Sequence, residues 1–210
     1  MIRQRATVRI PIAMIVALVC ALVSATACAR APSLATLAHG LPPFDALSAE
    51  HLGMRAHAFA AARPAARVLE YTGYRDSIGS FATIFRFSQP PIVRNAIPAG
   101  SLEAIAATRD FASDSFALRA WDSLYANAVR GFDRSPDGCW NVQGESGGNA
   151  LIAIWNERRD QFIAGHWSAA LGAASNGRAH LPGVTLILQT REQADHLANI
   201  QPRRRVSCPR

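Results

Sequence analysis

The chain has 210 residues, half of them hydrophobic, which suits one or two globular domains with a sizeable core. All 22 basic residues are Arg, and the formal net charge is +7. Much of that excess lies at the ends (Arg3, Arg5 and Arg9; Arg203, Arg204, Arg205 and Arg210), and no aromatic–basic interleaving marks a nucleic-acid face, so no nucleic-acid partner is expected.

The N-terminus has the three parts of an export signal. Arg3, Arg5 and Arg9 precede a nearly unbroken apolar run over residues 10–23, and Ala25-Thr26-Ala27 offers a small-x-small cleavage site before Cys28. Residues 1–27 therefore read as a signal peptide, and the product as exported: periplasmic, secreted, or held at a membrane by a lipid on Cys28. Ala25 stands where a lipoprotein box prefers a branched aliphatic, so lipidation stays open, as does retention of the run as an anchor. Two further cysteines, Cys139 and Cys208, could pair in an oxidising compartment, remain free thiols, or leave one of them paired with an unlipidated Cys28.

In chain order, residues 28–66 form a short, Ala- and Pro-rich N-terminal segment with little strand patterning. A helix over 48–62 ends at Pro64. Residues 68–72 read as a strand, 73–80 as a polar turn and 81–87 as a second strand, with Phe81, Thr83, Phe85 and Phe87 on one face by alternation. Pro90, Pro91 and Pro98 punctuate a loop. Residues 113–129 read as a helix, capped by Ser113 or Asp114, whose Leu118, Trp121, Leu124, Tyr125 and Ala128 recur at helical spacing as core residues. Strands over 150–155 and 161–167 make an antiparallel hairpin, 184–189 is a last strand, and 191–200 a terminal helix before a basic tail at 203–210.

The most pointed stretch is Gly144-Glu145-Ser146-Gly147-Gly148. Its glycines permit a tight turn that presents the Ser146 hydroxyl while the N–H groups of Gly144 and Ser146 converge, the arrangement that holds an oxyanion in acyl transfer. A plain Gly/Ser loop between two strands is the other reading. No Cys/His cluster has ligand spacing, so neither a metal nor another cofactor is expected.

From Val68 to Ile200 the order of features resembles the second barrel of the trypsin/chymotrypsin-like serine proteases. GESGG stands where that family has G-D-S-G-G, and Asp137-Gly138-Cys139 looks like its Asp-x-Cys. The run 128–132 falls where the family has a strand and loop. Gly165-His166-Trp167-Ser168 occupies the place of its substrate-lining strand, and 71–74 with Gly79 that of its opening strand and glycine turn. The resemblance implies a mainly β fold: a chymotrypsin-like second β-barrel over 67–202, an intermediate helix, a C-terminal helix and a shortened first half. It implies an exported serine endopeptidase acting on a peptide or protein substrate, with Ser146 as nucleophile, His39 as general base and Asp45 orienting it. Gly144 and Ser146 would form the oxyanion hole, and Asp137, His166, Trp167 and Ser168 would line the substrate site. Glu145 and Asn149 depart from the family's Asp and Pro, and His39 lies only six residues from Asp45 in a segment too short for a first barrel. His51, His57 and His166 are the other histidines that could serve as base. An inactive protease-like binding domain and an unrelated α+β periplasmic lipoprotein are the alternatives.

Overall fold

A computed structural model describes residues 32–47, 50–69, 73–89, 99–143, 149–168, 181–197 and 204–209. The chain is mainly β. Two short helices, α1 (Leu34–Ala38) and α2 (Ala56–Ala62), flank a 3-10 turn at Phe44–Ala46. Strands β1 (Arg67–Leu69), β2 (Gly73–Ile78), β3 (Phe81–Gln89) and β4 (Ala99–Asp110) follow as a meander. Helix α3 (Asp114–Phe132) then leads into a second meander: β5 (Gly138–Gln143), β6 (Asn149–Asn156), β7 (Asp160–Trp167) and β8 (Gly183–Thr190). Helix α4 (Arg191–Leu197) and β9 (Arg204–Val206) close the chain.

All nine described strands belong to one antiparallel sheet, ordered β1-β2-β3-β4-β8-β7-β6-β5-β9. Each four-strand meander starts on the outside and ends at the central β4–β8 seam, and β9 adds to the outer edge of β5. β1 and β9 lie at opposite edges and do not pair. The described strands thus form an open sheet where a closed barrel was the expectation.

Helices α1, α2 and α3 all pack on one face of the sheet, called inner below. Strand registers put Phe162, Leu188, Ile105, Phe85 and Tyr74 in one inner row. Phe59 of α2 meets Tyr74, Phe85 and Phe87 with ring centroids 4.9, 4.6 and 5.5 Å away. Tyr125 and Phe132 of α3 meet Trp155, and Phe44 meets Phe162. The segment before Arg67 therefore shares the core of the sheet: Phe44 and Phe59 are fully buried in it.

Local chemistry accounts for the element ends. Ser113 sits at the N-cap of α3, and Asp133 ends the helix in the left-handed region at φ 50°, its N–H donating to the Val129 and Arg130 carbonyls. Residues 128–132, likened to a strand and loop, are the last turn of this helix. Residues 73–78, read as a polar turn, form β2 because Tyr74 and Ile78 alternate into the core. Only Gly79 and Ser80 turn, with Gly79 at φ +57° in a two-residue hairpin. Gly73 cannot carry a side chain, since a Cβ there would stand 2.1 Å from the Phe85 carbonyl oxygen. β3 has the expected alternation, with Phe81, Thr83, Phe85 and Phe87 all buried.

Two devices tie the periphery down. Arg63, at the end of α2, donates to Glu50 and Asp76 at 2.5 Å each and lies over the Phe85 ring. Glu50 is 2% exposed, so this ion pair joins the N-terminal segment to β2 in a low-dielectric setting. At the other edge Cys139 and Cys208 are bonded, with Cα atoms 5.2 Å apart. That pairing fastens the strand β9, part of the basic tail, against β5. Among the described residues no helix is long and apolar enough to cross a membrane.

Candidate functional site

Ser146 and Gly144 lie outside the described residues, which end at Gln143 and resume at Asn149, a paired couple across β5 and β6. The other residues singled out from sequence divide between the two ends of the sheet.

His166, Trp167 and Ser168 stand at the same end as Gln143 and Asn149. Ser168 donates its N–H to the Asn149 carbonyl, and its hydroxyl accepts from the Asn149 N–H. His166 points inward, in one row with Leu151 and Asn141. Its Nε2 and the Asn141 Oδ1 are both buried without a hydrogen-bond partner. Burial lowers the His166 pKa below 6.5, opposed by the carboxylates of Asp114 and Asp122 on α3. At neutral pH the imidazole is uncharged, so its unprotonated nitrogen can accept a proton.

His39, Asp45 and Asp137 stand at the far end. His39 is the C-cap of α1, between Leu34, whose N–H donates to Glu157 in the β6–β7 turn, and Leu41, which packs on Gly131 near the end of α3. Burial lowers its pKa as well, reinforced by His51 and opposed by Glu50. Asp45 lies in the 3-10 turn beside Phe44, which abuts Phe162. The Asp137 carboxylate is occupied: it accepts from the Asn156 N–H at 2.5 Å and from Arg134 at 3.5 Å, closing the start of the β5–β6 ladder. β6 spans eight residues, which separates its two ends by about 23 Å. The described geometry therefore does not bring His39, Asp45 or Asp137 beside Asn149.

A depressed histidine pKa has a definite sign. Protonation favours the unfolded chain, so the stability due to neutral His166 is complete above pH 6.5 and is lost as pH falls through its lowered folded value. Thermal unfolding of His166→Gln should accordingly fall less steeply below pH 6.5 than wild type. An identical slope would mean that His166 does not carry the effect.

Sequence reasoning missed the outer face of the sheet. By register, Ile84, Ala106, Ile187, Ile163 and Ile154 form one continuous row across β3, β4, β8, β7 and β6. The next row runs Ala82, Thr108, Thr185, Gly165, Ile152 and Trp140. Its first four side chains are small, so they floor a shallow trough, and the Thr185 methyl lies 3.1 Å from where a Gly165 Cβ would be. Trp167 bounds the other side, with its ring against Gly183 and its Nε1 donating to the Leu181 carbonyl. Below the aliphatic row, Gln189, Gln161 and Asn156 form a hydrogen-bonded amide ladder that Arg191 joins. Ile84, Ile187, Ile163 and Ile152 remain half-buried. The same registers put Arg67, Arg75 and Arg86 on this face at the β1–β3 side, Arg205 on the β9 side, and Asp110 at the end of β4.

Among the described residues no group of three or more His, Cys, Asp or Glu could hold a metal ion. Comparison with protein families, curated proteins and solved structures found no match to this chain.

Proposed function

We propose that this is an exported domain that acts by binding, not by peptide hydrolysis. The observation that carries the reading is the separation of His39 and Asp45 from the strand ends flanking residues 144–148. Ser146 is three residues from both Gln143 and Asn149, a tether of about 10 Å, whereas a nucleophile and its base must come within about 3 Å. The sheet length of about 23 Å is too great for that tether to bridge. The two-sided apolar sheet, with helices α1–α3 on one face, also favours an α+β binding fold over a protease barrel.

A serine-reactive fluorophosphonate tests the reading. Folded wild-type protein should remain unlabelled, as should Ser146→Ala. Labelling that disappears in Ser146→Ala would overturn it and favour a second reading, hydrolysis through Ser146. His166 is what supports that second reading: it is neutral, its Nε2 has no partner, and it stands at the same end of the sheet as the 144–148 connection. A Ser146 activated by His166 would lose its labelling in His166→Gln and keep it in His39→Gln.

A further inference from the structure

We propose that the outer trough of the sheet holds the chain of an anionic amphiphile, with the head group at Arg67 and Arg75. The assignment rests on the binding reading above and names the ligand class. The argument starts from shape and polarity. The floor of Ala82, Thr108, Thr185 and Gly165 runs across the strands beside the wall of Ile84, Ile187 and Ile163. From β3 to β6 this path crosses four strand spacings, about 19 Å, which suits an extended alkyl chain. Methylene groups laid on half-buried isoleucines lose part of their contact with water, which favours binding.

Charge then selects among occupants. Arg67 and Arg75 are exposed at the end of the Ile84 row, and Arg86 stands one row away with its Nε buried and unpartnered. Arg67, Arg75 and Arg86, clustered at the β1–β3 side of this face, would repel a second copy of the same surface and attract an anion. A single-stranded nucleic acid would match the charge but gains its affinity by stacking bases on free aromatic faces. The Trp140 and Trp167 rings instead occupy the space where Cβ atoms on Gly138 and Gly183 would stand, which leaves an aliphatic surface between them.

Native mass spectrometry of the full chain with dodecyl phosphate tests the assignment. One bound molecule is expected, with inorganic phosphate and dodecanol each binding at least about tenfold more weakly. The double variant Arg67→Glu/Arg75→Glu changes only exposed residues and should weaken dodecyl phosphate by about tenfold or more. Ile187→Asp should remove binding, with its melting temperature checked against wild type. Equal binding of phosphate alone, unchanged binding by the double variant, or preference for a single-stranded oligonucleotide would each overturn the proposal. Loss of amphiphile binding with Ser146 unreactive sinks the ligand class alone. A reactive Ser146 with the amphiphile still bound sinks the binding-only reading alone.

Discussion

Replacing Trp155 with alanine should destabilise the protein by about 4 kcal/mol. Trp155 is fully buried on β6 and meets Tyr125, Phe132 and Phe162 at centroid distances of 5.8, 5.6 and 5.7 Å. It is the piece through which α3 grips the second meander. Its Nε1 also donates to the Arg134 carbonyl at 3.1 Å, which fixes the turn after the helix. Truncation removes the ring, leaves a cavity that three other aromatics cannot fill, and strips a partner from that carbonyl. Chemical denaturation of Trp155→Ala should show the loss as a lower midpoint. Trp155→Phe, which keeps an aromatic but not the donor, should fall between the two. A midpoint within about 1 kcal/mol of wild type for Trp155→Ala would contradict the packing described.

Removing the Cys139–Cys208 bond should cost a similar amount by a different route. The two residues are 69 apart in sequence, and closing a loop of that size in the unfolded chain accounts for about 4 kcal/mol in the chain-entropy description. In the folded state the bond holds β9 on the outer edge of β5, assisted by Tyr125, whose hydroxyl donates to the Pro209 carbonyl, and by Arg205, which donates to the Asp137 carbonyl. Cys139→Ser/Cys208→Ser should therefore lower the denaturation midpoint. It should also speed hydrogen exchange at the β5–β9 ladder, Cys139 to Asn141, more than in the β6–β7 ladder. Uniform loss of protection across both ladders would instead mean that the edge does not open on its own.

Strands whose alternation puts aromatics on one side were legible from the sequence. Phe81, Thr83, Phe85 and Phe87 announce β3, and the 150–155 and 161–167 hairpin is β6–β7. The α3 spacing also reads directly, because Trp121, Tyr125 and Ala128 fall on one buried stripe. β4, the longest strand at 12 residues, was not legible. Its Ala104, Ala106 and Ala107 have weak β preference, and it is a strand because β3 and β8 pair with it on both sides. The serine motif drew the eye to one hairpin, yet sequence spacing says nothing about which end of a sheet a histidine reaches. The signal for the outer face was present in Ala-Leu-Ile-Ala-Ile-Trp of β6 and Val-Thr-Leu-Ile-Leu of β8. Near-continuous apolar runs, here interrupted only by Thr185, mean that both faces of a strand are apolar, whereas one-sided burial predicts alternation.

The seam between β4 and β8 governs how fast this architecture can assemble. Each meander is built from neighbours in sequence, but the seam joins Ala104 to Gln189 and Asp110 to Gly183, so about 80 residues must be gathered before its ladder forms. Its two strands carry Ile105, Ala107, Leu186 and Leu188 into the shared core, so neither meander can complete its buried face alone. High contact order at the centre, with local contacts at the flanks, predicts that this pairing forms last. On that order, β4 and β8 would each be an unpaired edge until the seam closes.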